Sequence, residues 1–300
     1  MRNLNFHHLH YFWTVAKEGH LTRAAQKLNV SQSALSSQIK QLEGRLGHDL
    51  FHRQGRALSL TDVGHLVLEY AESIFNLSNE LLSMMESGEQ RVQQLRIGAV
   101  ATLSRNFQEN FLRPVIGLDK VKLALKSSNF DDLLEQLRVH KLDLILSNRP
   151  VASDSTTPWR CKLIAQQGVF LVGPNDSEFA TLRFPQDLTR VKLLLPGPDS
   201  DIRTQFDLYC EQHGLSVTPY AEVDDMAMLR LLARDAGAVA VVPEVVVQDE
   251  IQAGILKNYA ALDSVTESFY AITAKRHVDL PILKSLLNSD AIVPDSAARE

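Results

Sequence analysis

Two segments with helical periodicity lie next to each other early in the chain, and only Asn29 and Val30 separate them. Ser31, directly after this break, is a favourable N-cap for the second helix. The apolar residues at helical spacing are Leu21, Ala24, Ala25 and Leu28 in the first segment and Leu35, Ile39, Leu42 and Leu46 in the second. Small alanines let two helix backbones approach closely, so the pattern predicts a helix-turn-helix, preceded by an amphipathic helix that ends at Gly19.

The opposite face of the second helix is short, polar and free of acidic residues. It carries Gln32, Ser33, Ser36, Ser37 and Lys40. Gln and Lys side chains can hydrogen-bond base edges in the major groove of DNA, and Ser reaches bases or phosphates at close range. A plain solvated helix face would have the same composition, so these residues alone leave both interpretations open.

A short hairpin with arginines at its turn is predicted next. Residues 50–60 alternate in hydrophobicity, Gln54-Gly55 forms the tip, and Arg53 and Arg56 flank it. Paired arginines suit a narrow minor groove, where the negative potential of DNA is concentrated. Residues 1–64 hold eight basic and four acidic residues, a net charge of +4, so the rest of this chain of net charge −5 carries −9. Such asymmetry is typical of a basic nucleic-acid module joined to an acidic domain.

A long helix is predicted after the hairpin, with Thr61 as its cap and its end near Glu89. Its apolar residues are spaced by alternating steps of four and three: Val63, Val67, Tyr70, Ile74, Leu77, Leu81 and Met84. This is a heptad seam, which predicts pairing with the same helix of a second copy. Packing along one side of its own domain would give a similar stripe, and this alternative stays open.

The chain beyond residue 94 alternates short apolar strands with helices. The predicted strands are 95–100, 121–125, 142–146, 169–172, 191–195 and 238–242, and the predicted helices include 130–140, 202–213 and 226–236. This alternation predicts an α/β fold with largely parallel sheets. Ligand sites in such sheets lie at the carboxyl ends of strands, beside helix N-termini.

The N-terminal residues resemble those of the LysR-type transcriptional regulators of bacteria. The matching residues are Ala24-Ala25, Leu28, Ser31-Gln32-Ser33-Ala34-Leu35-Ser36, Gln38-Ile39, Leu42-Glu43, Leu46-Gly47, Leu50-Phe51, Arg53, Leu60-Thr61 and Gly64. Ser33 departs from the family pattern, which commonly has proline at this position. The resemblance implies a winged helix-turn-helix at 1–60, a linker and dimerisation helix at 61–90, and a two-lobed effector domain like periplasmic binding proteins at 91–300. Lobe I would comprise about 91–163 and 267–300 and lobe II about 164–266, with crossings near 161–168 and 264–269.

By this resemblance the chain reads DNA at one end and a small effector, either a molecule or an ion, at the other. The implied DNA contacts are Thr22, Gln32, Ser33, Ser36, Ser37, Lys40, Arg53 and Arg56. The implied effector contacts are Thr102, Leu103, Ser104, Ser128, Asn129, Ser147, Asn148 and Ser200. Each polar residue of the second group could instead be a helix cap or a loop hydroxyl. The implied partners are double-stranded promoter DNA with an interrupted palindrome, RNA polymerase and further copies in a homodimer or homotetramer, with no cofactor and no membrane.

A narrower similarity is to the activators of sodium/proton antiporters. The residues that carry it are Leu9-His10-Tyr11-Phe12-Trp13, Lys17-Glu18-Gly19, Leu133-Leu134-Glu135-Gln136-Leu137, His140-Lys141-Leu142-Asp143, Leu194-Leu195-Pro196-Gly197 and Asp224-Asp225. This similarity implies a sodium-responsive activator. Asp131 and Asp132 follow Asn129 at a helix start, where they would repel an anion and favour a cation, although capping acids are the alternative. The residues identify neither the effector nor the target gene.

Two other classes of protein compete with this interpretation: an α/β enzyme and a solute-binding receptor. The sequence has no phosphate loop, nucleophile elbow or metal-type Cys/His spacing, so we expect no enzyme. It has no signal-peptide or membrane-spanning pattern, so we expect a cytoplasmic protein. We interpret Cys161 and Cys210 as ordinary thiols, with a redox pair as the alternative, and His7 and His10 as packing or surface residues rather than metal ligands.

Overall fold

The computed structural model describes residues 4–52, 58–85, 92–152, 159–274 and 281–288. The chain divides into two compact units, one of residues 1–91 with 139–141 and the other of residues 92–138 with 142–300. Within the described ranges, no helix combines the length and the apolar character that crossing a bilayer requires.

The first unit begins with three helices: α1 (Phe6–Glu18), α2 (Leu21–Lys27) and α3 (Gln32–Leu46). The Oγ atom of Ser31 accepts a hydrogen bond from Ala34 N at 3.2 Å and so caps α3. Gly47 ends α3 with a φ of 80°, a conformation that favours glycine. Phe12, Leu35 and Leu42 are fully buried between the helices. The predicted helix-turn-helix is therefore confirmed.

Two short strands and a long helix complete the first unit. β1 (Phe51–His52) pairs antiparallel with β2 (Ser59–Leu60), as expected for the hairpin, and α4 spans Asp62–Met85. Thr61 caps α4, because its Oγ1 accepts from Gly64 N at 2.9 Å. A Cβ atom at Gly64 would lie 2.1 Å from the carbonyl oxygen of Leu50, so only glycine fits there. Arg53 and Arg56, like the predicted end of α4 near Glu89, lie outside the described residues.

The second unit is built on a sheet of eight strands in the order β4-β3-β5-β10-β6-β9-β7-β8. The strands are β3 (Gln93–Val100), β4 (Val121–Ser128), β5 (Leu144–Ser147), β6 (Trp159–Pro174), β7 (Leu193–Pro196), β8 (Ala221–Val223), β9 (Val239–Pro243) and β10 (Leu256–Ala274). β3 pairs in parallel with β4 and β5, and β7 with β8 and β9, which confirms the α/β prediction for both ends of the sheet. β10 is antiparallel to its neighbours β5 and β6.

Helices cover this sheet. They are α5 (Arg105–Leu112), α6 (Phe130–Arg138), α7 (Ser177–Ala180), α8 (Asp201–Gln212), α9 (Met226–Asp235), α10 (Gln248–Gln252) and α11 (Pro281–Asn288). Phe107 of α5 stacks on Phe269 of β10, with ring centroids 3.9 Å apart, and both rings are fully buried. This contact joins the helix that follows β3 to the centre of the sheet.

A two-stranded ribbon of β6 and β10 runs between the two parallel groups of strands. Its register extends from Leu256 opposite Pro174 to Ala274 opposite Trp159. The register shifts between Leu262 and Thr266, and Ser264 within this bulge has a φ of 67°. The sequence analysis predicted only residues 169–172 of β6 as a strand and missed β10 altogether. The predicted lobe crossings near 161–168 and 264–269 fall within this ribbon.

Candidate nucleic-acid interface and effector cavity

The polar face of α3 is largely accessible in the structure. Gln32, Ser33, Ser37 and Lys40 are exposed, and Ser36 is half-buried. The buried stripe on the other side of the helix, formed by Leu35, Ile39 and Leu42, fixes how α3 sits on α1. The helix can therefore present its polar residues to a groove without disturbing the core of the unit.

Thr22 on α2 and Gln32 on α3 meet at the surface. The Oγ1 atom of Thr22 donates to Oε1 of Gln32 at 3.3 Å. Ser33 is oriented in a similar way, because its Oγ lies 3.1 Å from Oγ of the capping residue Ser31. The hydrogen bond from Thr22 engages the carbonyl oxygen of the Gln32 amide, so the amide NH2 group keeps two donors for a base edge. Two of the predicted DNA contacts, Thr22 and Gln32, are thus adjacent.

The segment between α3 and the hairpin is fixed by two hydrogen bonds. Oε1 of the buried Glu43 accepts from Leu50 N at 2.8 Å. Thr61 Oγ1 donates to the carbonyl oxygen of Asp49 at 2.8 Å. Both ends of the hairpin are therefore tied to the helix-turn-helix, while its tip with Arg53 and Arg56 lies outside the described residues.

A small polar cavity of about 80 Å³ lies in the second unit. It forms where the end of β5, the beginning of α8 and the middle of β10 meet. Its lining consists of Asn148, Ser200, Asp201, Ile202, Gln205, Thr266, Glu267, Ser268 and Tyr270. Of the eight predicted effector contacts, Asn148 and Ser200 lie here.

The other six predicted effector contacts are placed elsewhere in this unit, and four of them, Ser104, Ser128, Asn129 and Ser147, make local hydrogen bonds. Ser104 is buried and caps α5 by accepting from Phe107 N at 3.3 Å. Ser128 contacts the Asp132 carboxylate, and Asn129 Oδ1 accepts from Asp132 N at 2.8 Å. Ser147 Oγ accepts from Arg149 N at 2.9 Å. Leu103 is buried and Thr102 half-buried. The structure brings none of these six into the lining of the cavity.

Glu267 is the most unusual group at the cavity. Only 4% of this residue is exposed. Its Oε1 accepts from Asn148 Nδ2 at 3.2 Å, whereas Oε2 has no hydrogen-bond partner among the described residues. Burial raises the pKa of the Glu267 carboxyl to about 7, against the smaller opposing effect of the Asn148 hydrogen bond, and the charge of Asp201 adds to the increase.

Two contacts hold the remaining walls of the cavity. Gln205 of α8 bonds the backbone of Thr266 twice, donating from Nε2 to its carbonyl oxygen at 3.0 Å and accepting from its N at 2.9 Å. Arg149 Nη2 donates to the carbonyl oxygen of Asp199 at 2.6 Å. The start of α8 is thereby tied to both β10 and the segment after β5.

Sequence reasoning missed Glu267, although the sequence contains a signal for it. Val265, Glu267, Phe269 and Ala271 alternate along β10, and all four are buried. A period of two residues indicates one face of a strand, so a glutamate in this series marks a carboxyl group placed among apolar neighbours.

A larger depression of about 370 Å³ lies at the edge of the sheet, between α5 and the β3 and β4 strands. Its lining is mostly apolar and includes Ile97, Leu112 and Leu125. None of the eight predicted effector contacts lines it. The small cavity, which does contain two of them, is therefore the better candidate for an effector.

The histidines and cysteines considered from the sequence have ordinary surroundings. His7 contacts the Tyr11 ring and His10 contacts Trp13. Burial raises the pKa of the Cys210 thiol to about 11, so Cys210 is not a thiolate at neutral pH. Across the described residues, no group of three His, Cys, Asp or Glu side chains is arranged to hold a metal ion.

Comparison with known proteins relates both units to one family. Residues 6–65 match the model for the bacterial regulatory helix-turn-helix protein of the lysR family, and residues 88–289 match the LysR substrate binding domain. The transcriptional activator protein NhaR of Escherichia coli is 30% identical over 291 residues, covering 97% of this chain and 96% of NhaR.

Solved structures agree on the fold. Full-length OxyR C199D of Pseudomonas aeruginosa is 23% identical with a TM-score of 0.64, covering 99% of this chain and 100% of that one. Vibrio fischeri DarR in complex with DNA is 22% identical with a TM-score of 0.54, covering 96% and 100%.

Proposed function

The chain belongs to the LysR family of bacterial transcriptional regulators, and on that premise we propose that it binds an interrupted palindrome in promoter DNA and activates transcription. The observation that carries the proposal is the exposed polar face of α3, which stands on a buried helix-turn-helix core. The activator role is supported by the 30% identity to the activator NhaR. In this scheme residues 1–60 read DNA, 61–90 link and dimerise, and 91–300 bind the effector.

We also propose that the functional particle is a homodimer or a homotetramer of two dimers. Helix α4 supports this, because Tyr70, Leu77 and Leu81 of the predicted seam are exposed. Val63, Val67 and Ile74 of the predicted seam are instead half-buried and pack on the core of the first unit. The exposed part of the stripe is the part available to a second copy, and two copies would present two α3 helices to a palindrome.

The test is a footprint of the full-length protein on genomic promoter fragments, followed by transcription with RNA polymerase, the proposed cytoplasmic partner. We expect two protected half-sites on one face of the duplex, spaced by a whole number of helical turns of about 10 bp. Transcription from the same promoter should rise with added protein. Non-specific binding to all DNA fragments, or a protected site without any effect on transcription, would contradict the proposal.

The effector of this regulator is proposed to bind in the 80 Å³ cavity, because Asn148 and Ser200 lie there together. A candidate for the effector itself is the sodium ion, with an antiporter gene as the regulated target. This candidate rests on the identity to NhaR. Asp131 and Asp132 lend this little support, since Asp132 contacts Ser128 and Asn129 locally. Footprints and transcripts with sodium, compared with potassium or choline at equal ionic strength, would test the sodium response. Unchanged footprints and transcripts would rule out sodium as the effector.

A further inference from the structure

The small cavity of the second unit is acidic. Its lining holds two acidic side chains, Asp201 and Glu267, and no Lys, Arg or His is among the lining residues that the structure describes. The other polar groups are amides and hydroxyls. A negatively charged effector would meet like charges here, whereas a positively charged group would be attracted.

Buried oxygen atoms without donors lie at one wall of this cavity. Within the described residues, Oε2 of Glu267 and Oδ1 of Asn148 are buried and have no hydrogen-bond partner. A third such atom, Oε1 of Gln167, belongs to the residue directly opposite Glu267 in the β6–β10 ladder, on the same face of the sheet, although Gln167 is not itself among the lining residues. Buried acceptors of this kind are rare because each one forgoes a hydrogen bond that it makes in water.

The size of the cavity limits what it can hold. One water molecule occupies roughly 30 Å³ in the liquid, so about 80 Å³ has room for roughly two or three heavy atoms. Calcium collects six to eight oxygen ligands, whereas two buried oxygen atoms of the described lining, Oε2 of Glu267 and Oδ1 of Asn148, lack a hydrogen-bond partner. A group with several N–H donors matches them better, because each acceptor needs a hydrogen.

We propose that this cavity binds the ammonium group of a small amine, with Glu267 as its counter-charge and Asn148 as a second acceptor. The inference rests on the proposed function only in treating the cavity as the effector site. Glu267 lines the cavity; its Oε1 accepts from Nδ2 of the half-buried Asn148 side chain, whereas its Oε2 is buried without a partner among the described residues. A movement of the Asn148 side chain would free the carboxylate for the ammonium group. The hydrogen bond that then forms joins two opposite charges, so it is stronger than the amide–carboxylate bond from Asn148 that it replaces.

The experiment uses the full-length protein and methylammonium chloride as the probe, with calorimetry and thermal unfolding as readouts. Tetramethylammonium chloride at equal ionic strength has the same charge but no N–H donor. We expect methylammonium to bind with measurable heat and to raise the melting temperature, and tetramethylammonium to do neither.

Three variants then locate the site. Glu267→Gln should raise the Kd for methylammonium at least tenfold. Asp201→Asn changes an exposed residue, so the variant is expected to fold, and the loss of one charge should raise the Kd for methylammonium several-fold. Glu211→Gln, an exposed position at the other end of α8, is the matched control and should leave the Kd unchanged.

Four results would overturn the inference: equal binding of tetramethylammonium, full binding by Glu267→Gln, stabilisation by sodium without stabilisation by methylammonium, or no binding of any cation. A footprint of the operator, measured in the absence of methylammonium, distinguishes failure of the amine inference from failure of the proposed function. An intact operator footprint without methylammonium binding rejects only the amine, whereas the absence of any specific footprint rejects the regulator.

Discussion

Arg149 reaches from the segment after β5 to the carbonyl oxygen of Asp199 just before α8, with 2.6 Å between Nη2 and that oxygen. The bond links the segments that follow β5 and β7, which belong to the two different parallel groups of strands, yet Arg149 itself is exposed. Exposed charged contacts contribute little to the free energy of unfolding, about 1 kcal/mol or less. Their effect is expected instead in local motion.

The first prediction concerns this contact. Arg149→Ala should speed amide hydrogen exchange at the start of α8, around Asp201 and Ile202, while the melting temperature stays within a few degrees of wild type. Arg113→Ala removes an exposed arginine directly after α5 and serves as the control. Unchanged exchange at residues 197–202 in Arg149→Ala would show that the bond does not hold this helix start.

The second prediction is a pH dependence of stability set by Glu267. Its pKa rises from 4.5 to about 7 on folding, so between these values the folded chain holds more protons than the unfolded one. The free energy of unfolding should therefore fall as the pH rises through this window, by about 3 kcal/mol. Below pH 4.5 this loss is absent, and above pH 7 it is complete.

Glu267→Gln removes the titration and should gain stability relative to wild type at pH 8 but not at pH 4.5. Urea unfolding followed by Trp159 fluorescence, in a chain that also carries Trp13→Phe, measures this in the second unit. Glu211→Gln should keep the wild-type profile. Parallel profiles for Glu267→Gln and wild type would mean that Glu267 ionises normally in the folded chain.

The third prediction is that Gln32 reads a base. Gln32→Ala should weaken binding to the footprinted operator by about 1–3 kcal/mol and leave binding to random DNA nearly intact. Thr22→Val should cause part of the same loss, because it removes the hydroxyl that holds the Gln32 amide. Gln26→Ala, on the exposed side of α2, is the control. Equal losses on operator and random DNA would assign Gln32 to the phosphate backbone instead.

The fourth prediction is that Lys40 binds phosphate. Loss of one phosphate contact lowers the slope of log K against log salt by about 0.9 for each copy on the site. Lys40→Ala should show this on operator and random DNA alike, in a titration from low to moderate salt. Lys120→Ala removes an exposed lysine from the second unit and should leave the slope of log K against log salt unchanged. An unaltered slope for Lys40→Ala takes Lys40 out of the interface.

The fifth prediction is that the exposed stripe of α4 forms a dimer. Leu77, 42% exposed in the single chain, would be covered by the second copy. Leu77→Asp then places an unpaired carboxylate in a dry interface, which is costly. Light scattering should show a smaller particle and weaker operator binding. Ser78→Asp adds the same charge beside the stripe and should keep the wild-type mass, so a wild-type mass for both variants would place the interface elsewhere.

The sequence allowed the helix-turn-helix to be predicted because its determinants are local. Leu35, Ile39 and Leu42 repeat within one helix, and Ser31 caps it. The alternation from Val265 to Ala271 indicates part of β10, but the full strand could not be predicted in this way, because the alternation breaks at Ser264 and the partner residues lie about a hundred positions earlier in β6. A strand is stabilised by neighbours that the local sequence does not contain.

The same distinction explains the site. The resemblance to the LysR-type regulators implied Asn148 and Ser200 as effector contacts, Asn148 after a predicted strand and Ser200 in the second lobe. Glu267 was missed together with its strand. Only the pairing of β10 with β6, and the approach of Asn148 to Glu267, creates the buried carboxyl and its unusual pKa.

The β6–β10 ribbon sets how a signal leaves the cavity. Glu267 lies on a strand whose main-chain hydrogen bonds continue into both ends of the sheet. The ladder of β6 and β10 connects the two halves of the sheet over its whole length, and its register shift between Leu262 and Thr266, near Ser264, is a bulge where the local twist of a strand can change. Effector binding would therefore be transmitted as a change of backbone twist, small in amplitude and felt along the whole length of the ribbon.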